Sequence, residues 1–187
     1  LEREQRTVFG EAAEQYASAR ADYPDALIED VIGYSRNLFH VLEVGAGTGK
    51  ATLAFATRGY ALTCVEPDPR MAELLVRACT PFPRVTVEVA RFEDWTPPQR
   101  FDLLIAAQSW HWIDATRRWD LAYNALASGG AIALYWNNYL VADEDTRLAL
   151  LEIDHHAGME TGSFTPHVFS AAEFAGEVDI EEGWPAF

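Results

Sequence analysis

Leu42-Glu43-Val44-Gly45-Ala46-Gly47-Thr48-Gly49-Lys50 is the stretch on which the fold turns. His40 to Val44 is a short apolar run that stops at a glycine cluster, as a buried parallel strand does. Lys50 to Arg58 then has the pattern of a helix closed by Gly59. Where a strand passes through a glycine turn into a helix, an open α/β sheet binds its ligand, because glycine allows both the tight turn and close approach of backbone to ligand.

Downstream the alternation repeats. Ala61 to Val65 reads as a second strand ending at Glu66-Pro67-Asp68, and Pro69 opens a helix with Met71, Leu74, Leu75 and Ala78 at helical spacing. Val85, Val87 and Val89 alternate with polar residues as a third strand, and Phe101 to Ala107 is a fourth, with Asp102 near its mouth. Asp114 is placed to cap a helix whose apolar side is Trp119, Ala122, Tyr123 and Leu126. Ser128-Gly129-Gly130 is expected to break that helix before a fifth strand, Ala131 to Tyr135. Upstream, two helices are expected over about residues 2–19 and 25–35, separated by Asp22-Tyr23-Pro24. Beyond residue 140, helices over Asp143–His156 and Ser170–Ala175 and a sixth strand over Val178–Glu181 complete the reading. The pattern predicts a Rossmann-like open, mostly parallel sheet with helices on both faces.

Composition narrows the function. Of 187 residues 49% are hydrophobic and 23% charged, which is globular and not disordered. Fourteen basic against 29 acidic residues leave a formal charge of -15, which argues against nucleic acid held through its phosphates and against an anionic membrane. Apolar runs are strand-sized, so no membrane span is expected. Two cysteines, Cys64 and Cys79, are too few for a disulfide framework, and the expected location is the cytoplasm. Lys50 is the single lysine, read here as a bias of composition.

Three chemistries use a glycine loop in this position. A nucleotide phosphate loop, G-x-x-x-x-G-K-[ST], would put its first glycine on Val44 and its hydroxyl on Ala51. A dinucleotide fingerprint, G-x-G-x-x-G, would put its third glycine on Lys50. The third is S-adenosylmethionine, held by E-x-G-x-G-x-G with an acid ending the second strand; Glu66 lies 17 residues past Gly49, placed to accept both ribose hydroxyls. The same carboxylate serves dinucleotides, so Glu66 alone does not choose among them.

Four motifs in order carry a resemblance over roughly residues 8–140: LEVGAGTGKAT at 42–52, CVEPDP at 64–69, ARFEDW at 90–95, and FDLLIAAQSWHWID at 101–114 followed by LASGGAIALYWN at 126–137. Together they resemble the bacterial small-molecule methyltransferases of the class I, type 11 group. The resemblance implies one domain over 1–187, with a helical cap at 1–36, a cofactor-binding core at 37–140, and substrate-side helices and a sixth strand at 141–187. It implies S-adenosyl-L-methionine as cofactor, S-adenosyl-L-homocysteine as product and a small-molecule acceptor. Glu43 resembles the acid that supports the methionine amino group. Gly45 and Gly47 would admit the amino-acid part, and Gly49 would ease the start of the helix. Glu66 would hold the ribose with Pro67 flanking the adenine, and Phe92 and Glu93 would close the adenine pocket. Ala107 and Gln108 would line the methionine end, and Tyr16 and Arg20 resemble residues that fold over the cofactor carboxylate. The family sheet has seven strands and about six are counted here, so the last strand or strands are expected to be missing from this stretch; the chain opens on Leu1 and not Met, so an initiator is expected to be missing too.

Methyl transfer from a sulfonium needs positioning and exclusion of water more than an elaborate catalytic apparatus. Trp110, Trp112 and Trp136, with Tyr135 and Tyr139, are expected on the substrate side, where an aromatic wall attracts a cation. His111 is the one candidate general base. His40, Asp154, His155, His156 and His167 lack metal-ligand spacing, and no metal is expected. A cofactor-binding protein without turnover and an NAD-dependent oxidoreductase are the alternatives.

Overall fold

In a computed structural model the described residues are 22–35, 38–137 and 148. The helix expected over 2–19, Tyr16, Arg20, Tyr139 and the elements expected after residue 140 lie outside the described residues. Every element below lies in the compact unit that ends at Asn137.

The order is α1 (Asp25–Tyr34), β1 (His40–Val44), α2 (Lys50–Ala56), β2 (Ala61–Glu66), α3 (Pro69–Ala78), β3 (Val85–Val89), β4 (Phe101–Ala107), α4 (Arg118–Ala125) and β5 (Leu126–Tyr135). Short 3-10 turns occupy Phe92–Asp94 and Trp110–Trp112. The sheet runs β3-β2-β1-β4-β5 with every pair parallel. Strands step outward from β1 to β3, then the chain returns to β4 on the other side of β1. That reversal opens a crevice at the carboxyl ends of β1 and β4.

Strand periodicity divides the core in two. Val41, Leu103 and Ile105 face α1, α2 and α3, packing with Ile28, Phe55 and Leu75. Leu42, Val44, Leu104 and Ala106 face the other way, onto Phe92, Trp110, Ala122 and Ala125. Side chains alternate across a strand, so strands rich in apolar residues at both parities require cover on both faces. At the amino-terminal end of the sheet, Asp102 accepts the backbone N–H of both Phe39 and His40 at 2.9 Å. It fastens β4 to β1 at the end opposite the crevice.

Two boundaries differ from the sequence reading. Ser128-Gly129-Gly130 does not separate helix from strand: α4 ends at Ala125 and β5 runs through the glycines. The ladder shifts register opposite Phe101 and Leu103, Gly129 takes φ +76, and a side chain on Gly130 would stand 3.0 Å from two carbonyl oxygens. The glycines lie in an irregular step inside the strand, where four residues of β5 stand opposite Asp102 alone. Asp114 starts a turn that reaches α4 only at Arg118, accepting from Thr116 N at 2.9 Å and Thr116 Oγ1 at 2.7 Å. Tyr123 is not part of the apolar side; it is 80% exposed. Among the described residues no helix is long and apolar enough to cross a membrane.

Gly49, at the head of α2, takes φ +97, and a Cβ there would stand 2.6 Å from Leu75 Cδ1 in the core. Gly49→Ala is expected to destabilise the fold by about 1–3 kcal/mol, read as a lower midpoint in denaturant unfolding. An unchanged midpoint would contradict this packing.

Candidate functional site

At the crevice between β1 and β4 lies a cleft of about 220 Å³. The glycine loop forms its floor. Gly45 N–H donates to Val65 O at 2.8 Å, turning the chain off β1 across the end of β2. Gly45 takes φ +69, and a Cβ on it would stand 2.5 Å from Ser109 Cβ, while Ser109 Oγ donates to Val44 O. Gly47 takes φ +58 and has open space where a side chain would stand. A glycine at Gly45 is thus required by packing, and one at Gly47 by backbone conformation beside an empty cradle.

Glu66 ends β2 with both oxygens engaged. Oε2 accepts Gly47 N–H at 2.7 Å and Oε1 accepts Asp68 N–H at 2.9 Å. Each oxygen keeps a further lone-pair direction. Burial raises its pKa, and the two backbone donors oppose the rise. Glu43, one of the cleft-lining residues, is 1% exposed and accepts Thr52 Oγ1–H at 2.6 Å. Burial pushes its carboxyl up to about 8, against the bond from Thr52 and with the nearby Glu66 charge.

On the far side, Phe92 and Glu93 are buried and line the cleft. Glu93 Oε1 accepts Asp114 N–H at 3.0 Å, and Arg117 Nη2 donates to Glu93 O at 2.9 Å, so the chain after β4 holds the 3-10 turn after β3. Ala107 and Gln108 stand at the tip of β4. Gln108 adopts φ +62, uncommon for a residue with a side chain. Its N–H donates to Tyr135 O at 3.0 Å and its Nε2 to Asn137 O at 2.9 Å.

Of the residues singled out in the sequence, Glu43, Gly45, Gly47, Glu66, Pro67, Phe92, Glu93, Ala107, Gln108, His111 and Trp112 meet at this cleft. Trp110 does not: it is fully buried, edge-on to Trp119 at 5.0 Å, with the Arg118 guanidinium 5.7 Å from its ring centre. It belongs to the core: with three residues per 3-10 turn, successive side chains point about 120° apart, so Trp110 and Trp112 face different surroundings. Trp136 reaches the site through His111, donating Nε1–H to Nδ1 at 3.3 Å. Gly49 lies below the floor, against Leu75. Among the described residues no group of His, Cys, Asp or Glu is placed to hold a metal ion.

The wall also includes residues to which the sequence assigns no site role, among them Tyr23, Lys50, Arg91 and Ser109. The sequence places Tyr23 in a break between helices; in space it packs edge-on against Tyr135 at 4.9 Å. Its signal was an aromatic beside a proline ahead of the first strand, which has no spacing rule.

Glu43 gives a pH dependence. A carboxyl whose folded pKa lies above its ordinary 4.5 binds its proton more tightly when folded, so it costs stability as pH rises from 4.5 toward about 8. The ligand-free protein is expected to lose stability across that window, and Glu43→Gln to remove most of the loss. Denaturant unfolding at the two ends of the window measures it; equal slopes in both proteins would refute it.

Residues 41–130 match the family described as "Methyltransferase domain". An uncharacterized methyltransferase of Mycobacterium tuberculosis is 34% identical over 131 residues, which are 69% of this chain and 51% of that protein. A probable S-adenosylmethionine-dependent methyltransferase of Saccharomyces cerevisiae is 27% identical over 129 residues, 65% of this chain and 44% of that one. The solved structure of a putative type II methyltransferase from Anaeromyxobacter dehalogenans superposes with a TM-score of 0.58 at 27% identity, covering 81% of this chain and 68% of that one. The chain spans about half the length of the curated relatives it matches. A sheet in this order, folded around this loop, is the class I methyltransferase fold, and residues 41–130 of it belong to the methyltransferase-domain family.

Proposed function

We propose that this protein binds S-adenosylmethionine in the cleft and transfers its methyl group to a small-molecule acceptor in the cytoplasm. The observation that carries the reading is the cradle at Gly47: open space beside a positive-φ glycine whose N–H is held by Glu66. Glu66 has lone pairs left for ribose hydroxyls, Phe92 and Pro67 offer apolar walls for an adenine, and Glu93 an acceptor for its amine. Glu43, deep in the cleft, suits the amino group of the methionine part, whose positive charge would draw its carboxyl toward ionisation.

When bound, the cofactor would supply an electrophilic sulfonium methyl, with Glu43, Glu66 and Glu93 placed to hold the rest of the molecule. What the chain supplies is orientation and dryness, worth up to about 7–11 kcal/mol in well-oriented systems. The charge of -15 supports a small acceptor over nucleic acid or an anionic membrane, and the two free, buried cysteines support a reducing compartment.

His111 acts here as a hydrogen-bond donor to the acceptor and not as a base. Indole Nε1–H can only donate, so Nδ1 is the unprotonated nitrogen and Nε2 carries the proton in the neutral ring. Trp136 and Trp112 hold that ring, the latter with centroids 4.8 Å apart.

Calorimetry with S-adenosylhomocysteine tests the cofactor reading. Wild type is expected to bind at micromolar Kd, and Glu66→Ala, checked for retained fold, at least about tenfold more weakly, the loss expected for hydrogen bonds to a charged group. No binding by the full-length protein would end the enzyme reading and leave a repurposed fold. For His111, long-range nitrogen–proton NMR correlations are expected to show the proton on Nε2, with the preference relaxed in Trp136→Phe. A proton on Nδ1 would restore the histidine to the role of base.

A further inference from the structure

The cleft walls carry three buried carboxyls, Glu43, Glu66 and Glu93. Acids suit the two positive groups of S-adenosylmethionine, its ammonium and its sulfonium, but repel the one negative group, the carboxylate of its methionine part. Among the described residues two fixed cations stand in the wall, Lys50 and Arg91. Arg91 follows β3, the far edge strand, and lies 3.9 Å from both Glu93 and Asp94, at the end of the cleft formed by Phe92 and Glu93. Lys50 follows the glycine loop. Its Nζ lies 2.7 Å from Asp22 Oδ1, next to Tyr23, which lines the cleft and packs on Tyr135 at the tip of β5. Lys50 therefore belongs to the end of the cleft bounded by β1, β4 and β5, where Ala107 and Gln108 stand.

The Asp22 partner is a weak one. Its side chain is 82% exposed and that of Lys50 31%, so water screens the pair and little free energy is lost on breaking it. A carboxylate held within the cleft is less hydrated, and an ammonium bonded to it there makes one of the stronger hydrogen bonds available to a protein. The four-carbon stem of lysine lets the ammonium turn from one partner to the other without movement of the backbone.

We propose that Lys50, alongside the Tyr16 and Arg20 that the resemblance assigns to the same group, receives the cofactor's methionine carboxylate, and that Asp22 holds its ammonium until the cofactor arrives. The proposal rests on the S-adenosylmethionine reading above, and it gives the only lysine of this sequence a place in the site.

The test compares two ligands that share the adenosine and the thioether. S-Adenosylhomocysteine carries the amino-acid carboxylate; 5′-methylthioadenosine does not. With the full-length protein in calorimetry, Lys50→Met is expected to weaken S-adenosylhomocysteine about 10- to 100-fold, to leave methylthioadenosine unchanged, and Lys50→Arg to recover most of the loss. Equal weakening of both ligands would make Lys50 a structural residue and overturn the proposal, as would no weakening of either. Failure of wild type to bind either ligand would instead remove the cofactor reading on which the proposal stands. A second measurement needs no variant: acylation of Lys50 in the wild-type protein, followed by peptide mass spectrometry. S-Adenosylhomocysteine is expected to slow it and methylthioadenosine to leave it unaffected; equal protection by both would again overturn the assignment.

Discussion

The Glu66 carboxylate ties together the two turns from which the site is made. One oxygen takes the N–H of Gly47 in the loop after β1 and the other the N–H of Asp68 in the turn after β2. Neither turn has regular structure of its own to hold it, and a flexible loop at a ligand site loses affinity to the entropy of ordering it. Anchoring both turns to one buried carboxyl, 5% exposed, settles the shape of the cleft floor before a ligand arrives. The cost is a desolvated acid, compensated by two backbone donors.

The same economy recurs around the rim, where each ligand-facing turn is fastened to a neighbour by a side chain that reaches a backbone group. Ser109 reaches Val44 O, Gln108 reaches Asn137 O, and Glu93 reaches Asp114 N. Each bond crosses between segments far apart in the chain but adjacent at the carboxyl edge of the sheet. The amino-terminal edge has a counterpart in Asp102, which pairs two amides at the start of β1. The sheet is thus clamped at both ends, and the backbone strain at Gln108 is held in place by bonds on both its main chain and its side chain.

Beneath the floor, Glu43, Thr52 and Cys64 form a small polar cluster in an otherwise apolar layer: Thr52 bonds Glu43, and Cys64 Sγ lies 3.9 Å from the same oxygen. A buried acid with so few partners is a liability in a ligand-free fold. Its position along the cleft wall supports the view that this cost is retained for a cationic ligand group, since functional sites are where proteins tolerate perturbed acids.

The alternation of strand and helix, the glycine loop and the acid after the second strand were all legible in the sequence, because they rest on local rules: apolar period, glycine at positive φ, a carboxylate at a strand end. Val41 and Leu42 fall on opposite faces of β1 by alternation alone. Tertiary structure decided what depends on distance through space. Trp110 and Trp112 look alike in the sequence, yet one packs on Trp119 in the core and the other lines the cleft. The glycines at 129 and 130 read as a helix break but form an irregular step within β5, since only the register against Phe101 and Leu103 distinguishes the two. Lys50 and Asp22 are 28 residues apart with no spacing rule to pair them, and only folding the segment at Asp22 against the loop brings them to 2.7 Å. Local chemistry is written in the order of residues, whereas a contact across the fold exists only once the chain has closed.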